Sequence, residues 1–222
     1  MSFVLEAEQL CVDIDDHEIF SNLSFRVSGG QCAHITGPNG SGKSTLLMLL
    51  CGLFADYRGQ YRWRCEDETL QPALLCERLI FMSTKSGIHE ALSPEENLAW
   101  YAALMGVRLT AKQRREALAR VGLQTGFSRP VATLSSGQRQ RVKLARLGIA
   151  WRPFWLLDEP FTALDHAAVA DLETRLIDHA KAGGLVLFTS HHRLAHIRPN
   201  VKIQLAVGGI LSSENMDVGV QG

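Results

Sequence analysis

The sequence predicts an α/β fold, a core of short buried strands and flanking helices interrupted by a helical insertion. Three observations predict it. An apolar strand, Ala33-His34-Ile35-Thr36, runs into a glycine-rich loop and then an apolar helical run. Two further apolar strands, Trp155-Leu156-Leu157 and Leu185-Val186-Leu187-Phe188, bracket an amphipathic stretch over residues 167–180. Between about residues 93 and 150 the spacing of apolar residues changes from strand-like to helical.

Residues 3–12 and 19–27 alternate as strands joined by an acidic turn at Asp15-Asp16-His17. Thr45 to Leu53 reads as a buried helix that opens near Lys43, Tyr61 to Arg64 as an edge hairpin strand, and Leu79 to Met82 as a core strand. Ser93 is placed to cap a helix, with Pro94 at its first position and Glu96 three residues on, the pattern of a capping box. Residues 112–121 and 136–149 read as two further helices, and Val201 to Leu211 as a closing hairpin turned at Gly208-Gly209. No internal repeat, linker or low-complexity segment stands out.

The 222 residues carry 46% hydrophobic and 21% charged side chains, ordinary globular composition with enough chain for a sizeable core. The formal net charge of +0 argues against a nucleic-acid-binding polycation, so no nucleic-acid partner is expected. The charge is uneven, however. Residues 81–150 hold eleven Lys and Arg against four Asp and Glu, a net +7 balanced by −7 in the rest. Such a split suggests that this region meets a different partner. The five cysteines form no CxxC pair and read as no disulfide framework or zinc site, which fits a reducing cytosol; Cys51 lies in an apolar helical run and reads as a core residue. No secretory leader is evident at Met1–Glu6. The longest apolar run, Leu46 to Ala55, is far below the ~20 residues of a membrane span.

Gly37-Pro38-Asn39-Gly40-Ser41-Gly42-Lys43-Ser44-Thr45 matches GxxxxGK[ST] between a strand and a helix. Glycines let backbone N–H groups close around phosphate oxygens, and the helix start turns its positive dipole end to the same anion. In this pattern Lys43 reaches the β- and γ-phosphates and Ser44 ligates Mg²⁺. Further on, Phe154-Trp155-Leu156-Leu157-Asp158-Glu159 delivers two carboxylates to the C-terminal end of a buried strand, where ligands sit in parallel α/β sheets. Asp158 is suited to hold Mg²⁺ through a water, and Glu159 to orient or deprotonate the attacking water. A third motif, Leu134-Ser135-Ser136-Gly137-Gln138, reads by itself as a helix start with Ser136 as its cap.

The three motifs in this order resemble the ABC ATPase family over roughly residues 3–212. The resemblance implies a P-loop NTPase (RecA-like) core with an antiparallel β subdomain and an inserted helical subdomain. Residues 1–83 and 151–222 then form the core, and roughly 84–150 the helical part with the signature motif. It implies ATP hydrolysis with ATP and Mg²⁺, catalysed by Glu159 and His191, and a head-to-tail homodimer with ATP sandwiched between copies. Residues Leu134 to Gln138 of one chain, through the Ser136 hydroxyl, then grip the γ-phosphate held by the other. Ala163-Leu164-Asp165 matches the D-loop at the dimer interface, and Thr189-Ser190-His191 brings in the switch histidine.

Two departures from that family stand out. No aromatic stands near Ile14, where a ring would stack on adenine, leaving aliphatic packing or His17 as alternatives. Thr84 takes the place of the Q-loop glutamine that contacts the metal, and its side chain is shorter.

Three stretches, Gly87 to Leu98, Arg152 to Asp165 and His179 to Gly184, resemble more narrowly the haem-exporter ATP-binding subunit of cytochrome c maturation (CcmA-type). That resemblance implies transmembrane permease partners in a haem-handling complex, a peripheral position on the cytoplasmic face of the bacterial inner membrane, and hydrolysis that powers release of a haem-loaded chaperone. Another ABC exporter or importer shares most of these motifs. A soluble ABC protein of translation or repair would carry a second cassette or a long coiled-coil insertion, and neither is present in the sequence. The membrane-partner surface is expected on the +7 region, in a cleft beside Thr84 and Leu92, with Leu92 and Leu98 contributing contacts. Lys112, Arg114, Arg115 and Arg120 are candidates to face an anionic leaflet or form a solvated helix face, while Arg139, Arg141 and Arg146 lie on the signature helix.

Overall fold

The computed structural model describes residues 2–84, 87–124, 128–206 and 212–215. The chain divides into two compact units: residues 1–81, 152–159 and 173–222 form the first, and residues 82–151 and 160–172 the second.

The first unit holds two sheets. The antiparallel one has the order β2-β1-β4-β5, built from β1 (Phe3–Ile14), β2 (His17–Ser28), β4 (Arg58–Cys65) and β5 (Glu68–Thr69). β1 and β2 join through Asp15 and Asp16, both at positive φ (49° and 62°), the conformation that a two-residue hairpin needs to match strand twist. The strands run further than their alternation suggested, and His17 already pairs with Ile14. A bulge at Gln9 (φ 50°) shifts the register after Ala7. Gly59 packs on this bulge, where a Cβ would lie 2.3 Å from the Gln9 carbonyl oxygen. The stretch at Tyr61–Arg64 falls in β4, which forms a hairpin with β5; β5 pairs only with Arg64 and Cys65, so most of the stretch keeps one edge uncovered by a strand among the described residues.

The second sheet has the order β10-β9-β3-β8-β7-β6, from β3 (Cys32–Thr36), β6 (Leu79–Met82), β7 (Phe154–Leu157), β8 (Leu185–Thr189), β9 (Val201–Gln204) and β10 (Ser212–Asn215). β8 runs parallel to both β3 and β7, β9 runs parallel to β3, and β10 is antiparallel to β9. A closing hairpin is present, but its second strand, Ser212–Asn215, lies beyond the expected limit at Leu211; the Gly208-Gly209 turn lies outside the described residues. β7 and β8 are buried at every position, which is why they read as unbroken apolar runs.

α1 (Lys43–Leu50) buries Leu46, Leu47, Leu49 and Leu50 in the core between the sheets and ends before Leu53, which is 67% exposed. Phe154 joins the layers, its ring 5.2 Å from Phe3 and 4.6 Å from Trp63. Trp63 Nε1 donates to the Leu50 carbonyl at 2.9 Å. Burying each such ring is worth about 2–3 kcal/mol. A short helix, α2 (Pro72–Arg78), was not expected; it opens on a proline and buries only Leu75. Cys51 packs against this core, half-buried as a small apolar residue.

The second unit is helical: α3 (Pro94–Leu104), α4 (Ala111–Ala119) and α5 (Ser136–Ala145), with single 3₁₀ turns at Val131–Thr133 and Arg146–Gly148. Each helix opens on a capping box: Ser93 with Glu96, Thr110 with Gln113, and Ser135 with Gln138. Hydrogen bonds from Ser93 hold the Glu96 carboxyl below its usual range. The cap of α5 is Ser135, so Ser136 occupies the first helical position instead of the cap. α6 (His166–Lys181) starts in this unit and continues into the first.

Asn97 organises the loop before α3. It is fully buried, accepts from the His89 amide, and donates to the carbonyls of His89, Leu92 and Ser93. Leu98 is 0% exposed and belongs to the core of this unit, so it forms no partner surface; Leu92 is half-buried. The positive charge is largely consumed inside the unit. Arg115 pairs with Glu95, Lys112 with Glu116, and Arg141 with Asp165. Arg114 donates to the Leu109 carbonyl, and Arg146 lies 3.6 Å over the Tyr101 ring. Arg120 is exposed without a partner among the described residues.

Replacing Asn97 by Ala would remove four hydrogen bonds to the backbone of this loop and leave the His89 amide without its partner. We expect a loss of about 2–4 kcal/mol in urea unfolding, with the native fold retained at low temperature.

In the first unit, His179 stacks on Trp155 at 3.7 Å and meets the Pro153 carbonyl at 3.2 Å through Nε2, which therefore carries a proton. Burial pushes its pKa down from 6.5 to about 4. Between these values the unfolded chain takes up a proton that the folded chain does not, so stability falls as pH falls through that window. His179→Phe keeps the ring and removes the titration. Unfolding free energies measured across the window should then lose about 1–3 kcal/mol of their pH dependence.

Candidate active site

In the first unit, the order β3-β8-β7 sets the C-terminal ends of three strands side by side, and the loops leaving them build the site. The loop after β3 has the backbone that its glycines predict. A Cβ at Gly37 would lie 2.4 Å from the Leu205 carbonyl oxygen and 2.5 Å from Ser41 Oγ. Gly42 caps α1 in the left-handed region (φ 87°), where a Cβ would strike Ile19 Cγ2 at 2.4 Å. Pro38, Asn39 and Gly40 form the exposed arch of the loop, and Thr45 follows in the first turn of α1. No side chain caps α1, so its first N–H groups stay open to an anion. Lys43 is 8% exposed and bends across the loop, donating from Nζ to the carbonyls of Gly37 and Pro38 at 2.9 Å each. The Ser41 hydroxyl is buried without a partner among the described residues.

The carboxylates arrive from β7. Asp158 is 5% exposed; Oδ2 accepts from Ser44 Oγ at 2.7 Å and Oδ1 from Thr189 Oγ1 at 2.8 Å. Thr189 Oγ1 in turn accepts from the Glu159 amide at 2.8 Å. Glu159 stands at φ 48°, a conformation that costs a non-glycine residue about 1–2 kcal/mol. Its Oε2 accepts from the His191 amide at 3.4 Å, and His191 Nε2 lies 3.4 Å from Oε1. That second approach lacks hydrogen-bond geometry, and Oε1 is a buried acceptor with no donor among the described residues. His192 is exposed, and its backbone amide donates to Ser190 Oγ at 2.9 Å. Ser44, Asp158, Glu159 and His191 thus come together as a set, with Thr189, which the sequence reading passed over, at their centre.

Ile14 and His17, the two alternatives for adenine, face each other across the β1–β2 turn, both exposed at the surface.

The signature motif lies in the second unit. Leu134 is buried and its carbonyl accepts from Arg139 Nε at 3.0 Å. Ser135 spends its hydroxyl on the Gln138 amide, leaving the exposed Ser136 hydroxyl without a partner among the described residues. Gly137 is required by close approach, because a Cβ would sit 2.7 Å from the Ala163 carbonyl oxygen. The D-loop is fastened to α5 on each side of that contact. Gln140 donates to the Pro160 carbonyl at 2.7 Å, and Arg141 binds Asp165 at 2.6 Å. Ala163 holds φ 61°, and the Leu164 amide donates to the Phe161 carbonyl. Asp165 caps α6 through the Ala168 amide; that bond and Arg141 hold its carboxyl below the usual range. Thr84 is exposed in this unit with its carbonyl held by Lys143 Nζ at 2.9 Å. An open cleft of about 410 Å³ is lined by Thr84, Ile88, Ser136, Arg139, Lys143 and Ala163, among others.

The family model "ABC transporter" matches residues 20–162. A cytochrome c biogenesis ATP-binding export protein CcmA from Hahella chejuensis is 43% identical over 204 residues, spanning 91% of this chain and 95% of the relative. A CcmA from Yersinia pestis is 39% identical over 90% of this chain and 91% of its own length. Among solved structures, an ATP-binding cassette dimer in a post-hydrolysis state with ADP and Pi superposes with a TM-score of 0.80 at 22% identity, covering 95% of this chain and 98% of that one. A putative ABC transporter ATP-binding protein from Pyrococcus furiosus gives 0.75 at 22% identity, over 91% and 97% of the two chains. At these identities the two structures speak to the fold alone.

Because Lys43 is the cation inside the loop, Lys43→Ala should raise the ATP dissociation constant about tenfold or more in calorimetry, without changing the far-ultraviolet spectrum.

Proposed function

Since the chain belongs to the ABC transporter family and, within it, to the CcmA-type ATP-binding subunits, we propose that it is the ATP-hydrolysing subunit of a membrane complex serving cytochrome c biogenesis. The observation that carries the catalytic reading is the run of hydrogen bonds from Ser44 through Asp158 and Thr189 to Glu159, which ties the phosphate loop to a carboxylate suited to activate water.

In this reading the open N–H groups of residues 37–45 and Lys43 cradle the β- and γ-phosphates of ATP. Lys43 exchanges its two carbonyl partners for phosphate oxygens, a charge-assisted contact. The pair Ser44 and Asp158 fits a hard cation, being two oxygen ligands already in contact at 2.7 Å, with further positions left to phosphate and water. Ser44 and Asp158 would hold Mg²⁺, which would supply positive charge to offset that developing on the phosphate oxygens. Glu159 orients the water that attacks the γ-phosphorus, the bond to the bridging oxygen breaks, and ADP leaves. His191, beside Glu159, contacts the γ-phosphate. Thr84 stands where its family has a metal-contacting glutamine and is a further candidate to reach a metal-bound water.

Two copies pair head to tail, each nucleotide lying between Lys43 of one chain and the α5 start of the other. There Ser136 and the flanking Leu134, Ser135, Gly137 and Gln138 grip the γ-phosphate, and Ala163, Leu164 and Asp165 cross the interface. Among the described residues no helix is long and apolar enough to cross a membrane. Transmembrane permease subunits then hold this chain on the cytoplasmic face of the inner membrane, and its hydrolysis drives haem handling through release of a haem-loaded chaperone. A transporter of another solute is the alternative, and co-purification of the membrane partner decides between them.

Glu159→Gln removes the basic carboxylate and keeps the shape. Turnover should fall about 10²–10⁴-fold while ATP affinity is retained, and the variant should accumulate as an ATP-bound dimer in light scattering. Turnover near the wild-type rate would end the assignment of Glu159.

A further inference from the structure

We infer that Thr189 is a positioning residue for ATP hydrolysis, which sets the backbone of Glu159 and the orientation of Asp158 through one hydroxyl. The inference rests on the proposed role of Glu159.

A threonine hydroxyl has one proton to donate and lone pairs to accept with. Asp158 Oδ1 can only accept, so the proton goes there, at 2.8 Å. The Glu159 amide can only donate, so it takes a lone pair, also at 2.8 Å. One side chain thus serves two consecutive residues by different chemistry. Thr189 is 0% exposed, so water has no ready access to replace it.

The strand register brings it there. β8 runs parallel to β7 with Phe188 opposite Leu157, so the next residues along, Thr189 and Asp158, meet where both strands end. On its other side β8 pairs with β3, with Thr189 opposite Ile35, two residues before the phosphate loop. Thr189 therefore sits between the strand that carries the phosphate loop and the strand that carries the carboxylates.

The consequence falls on Glu159. Its φ of 48° is one that a residue with a side chain does not keep without surrounding support. The amide bond to Thr189 is a direct tether on that backbone, and His191, which follows Thr189 by two residues, donates to Oε2 from the same strand end. Without the hydroxyl, Glu159 N and Asp158 Oδ1 lose a buried partner together. The carboxylate then samples positions from which it no longer aligns water. Lys43 and the open N–H groups of the phosphate loop make no bond to the hydroxyl and still bind nucleotide.

The test compares Thr189→Val with Thr189→Ser in the full-length chain, with Glu159→Gln alongside. Thr189→Val should lose about tenfold to a hundredfold in kcat, with the KM for ATP within about threefold of wild type and ATP binding retained in calorimetry. Thr189→Ser, which restores only the hydroxyl, should return to within about threefold of wild-type kcat. A kcat for Thr189→Val near wild type overturns the inference, as does a serine variant as slow as the valine one or a loss confined to KM. Where Thr189→Val does not accumulate folded, Thr189→Ala carries the same contrast with serine. If Glu159→Gln turns over normally, the reading of Glu159 is what fails. If it is inactive and Thr189→Val turns over at the wild-type rate, the tether alone is refuted.

Discussion

The bond from Ser44 to Asp158 spans 114 residues of chain at 2.7 Å, and the first unit is arranged so that it can form. Neither group is useful where its own segment leaves it. Ser44 begins a helix that the glycine loop turns back over the sheet, and Asp158 ends a strand enclosed on both faces. Placing β8 between β3 and β7 makes their meeting possible, since all three strands end at the same edge. The apolar core fixes that order. Phe154 on β7 is gripped by Phe3 and Trp63 from the antiparallel sheet, and Trp63 is hydrogen-bonded to the end of α1. A carboxylate as buried as Asp158 is tolerated because both of its oxygens accept from hydroxyls.

The second unit solves a different problem, holding two short irregular segments against one helix. α5 meets the D-loop through Gln140, Arg141 and the bare backbone of Gly137. Arg141 also donates to the Val121 carbonyl, so one guanidinium reaches α6's cap and the segment after α4. The charge excess over residues 81–150 therefore reads differently once folded. Most of its cations spend their donors on carbonyls, carboxylates or an aromatic ring inside the unit. Burial also pushes the Lys143 ammonium below its usual pKa, as does the nearby Arg146 charge. These are packing cations, and a composition count cannot tell them from a partner-facing patch.

What was legible in the sequence was whatever a local pattern encodes. The phosphate loop and the carboxylate pair are contiguous, and their glycines and apolar flanks announce the backbone that carries them. Thr189 was not legible in its role, because its partners lie 30 and 31 residues away and only the β7–β8 register joins them. Leu98 was misread as surface because its side of α3 depends on where Asn97 anchors the preceding loop. α2 escaped notice because two turns with one buried leucine leave too little periodicity. The cap of α5 is a separate case. Gln138 stands three residues after Ser135, whereas Arg139 follows Ser136, so the capping-box rule that identified Ser93 selects Ser135 as well.

That one-residue difference matters for chemistry. A serine that caps its helix accepts from a backbone amide and is oriented by it. If Ser136 were the cap, its hydroxyl would be committed inside its own chain. With Ser135 in that place, reciprocally bonded to Gln138, the helix start is rigid and Ser136 stands in the first turn with its hydroxyl exposed. The neighbouring position is equally constrained. Any side chain at Gly137 would push against the Ala163 carbonyl, which Ala163 presents from a left-handed backbone. The motif thus divides its labour: Ser135 and Gln138 build the helix end, Gly137 lets the D-loop approach, and Ser136 keeps its hydroxyl at the surface. Two hydroxyls of the first unit have the opposite character, since Ser44 and Thr189 are both engaged by Asp158. The Ser44 and Thr189 hydroxyls are thus held by the chain itself, while the Ser136 hydroxyl is left to solvent.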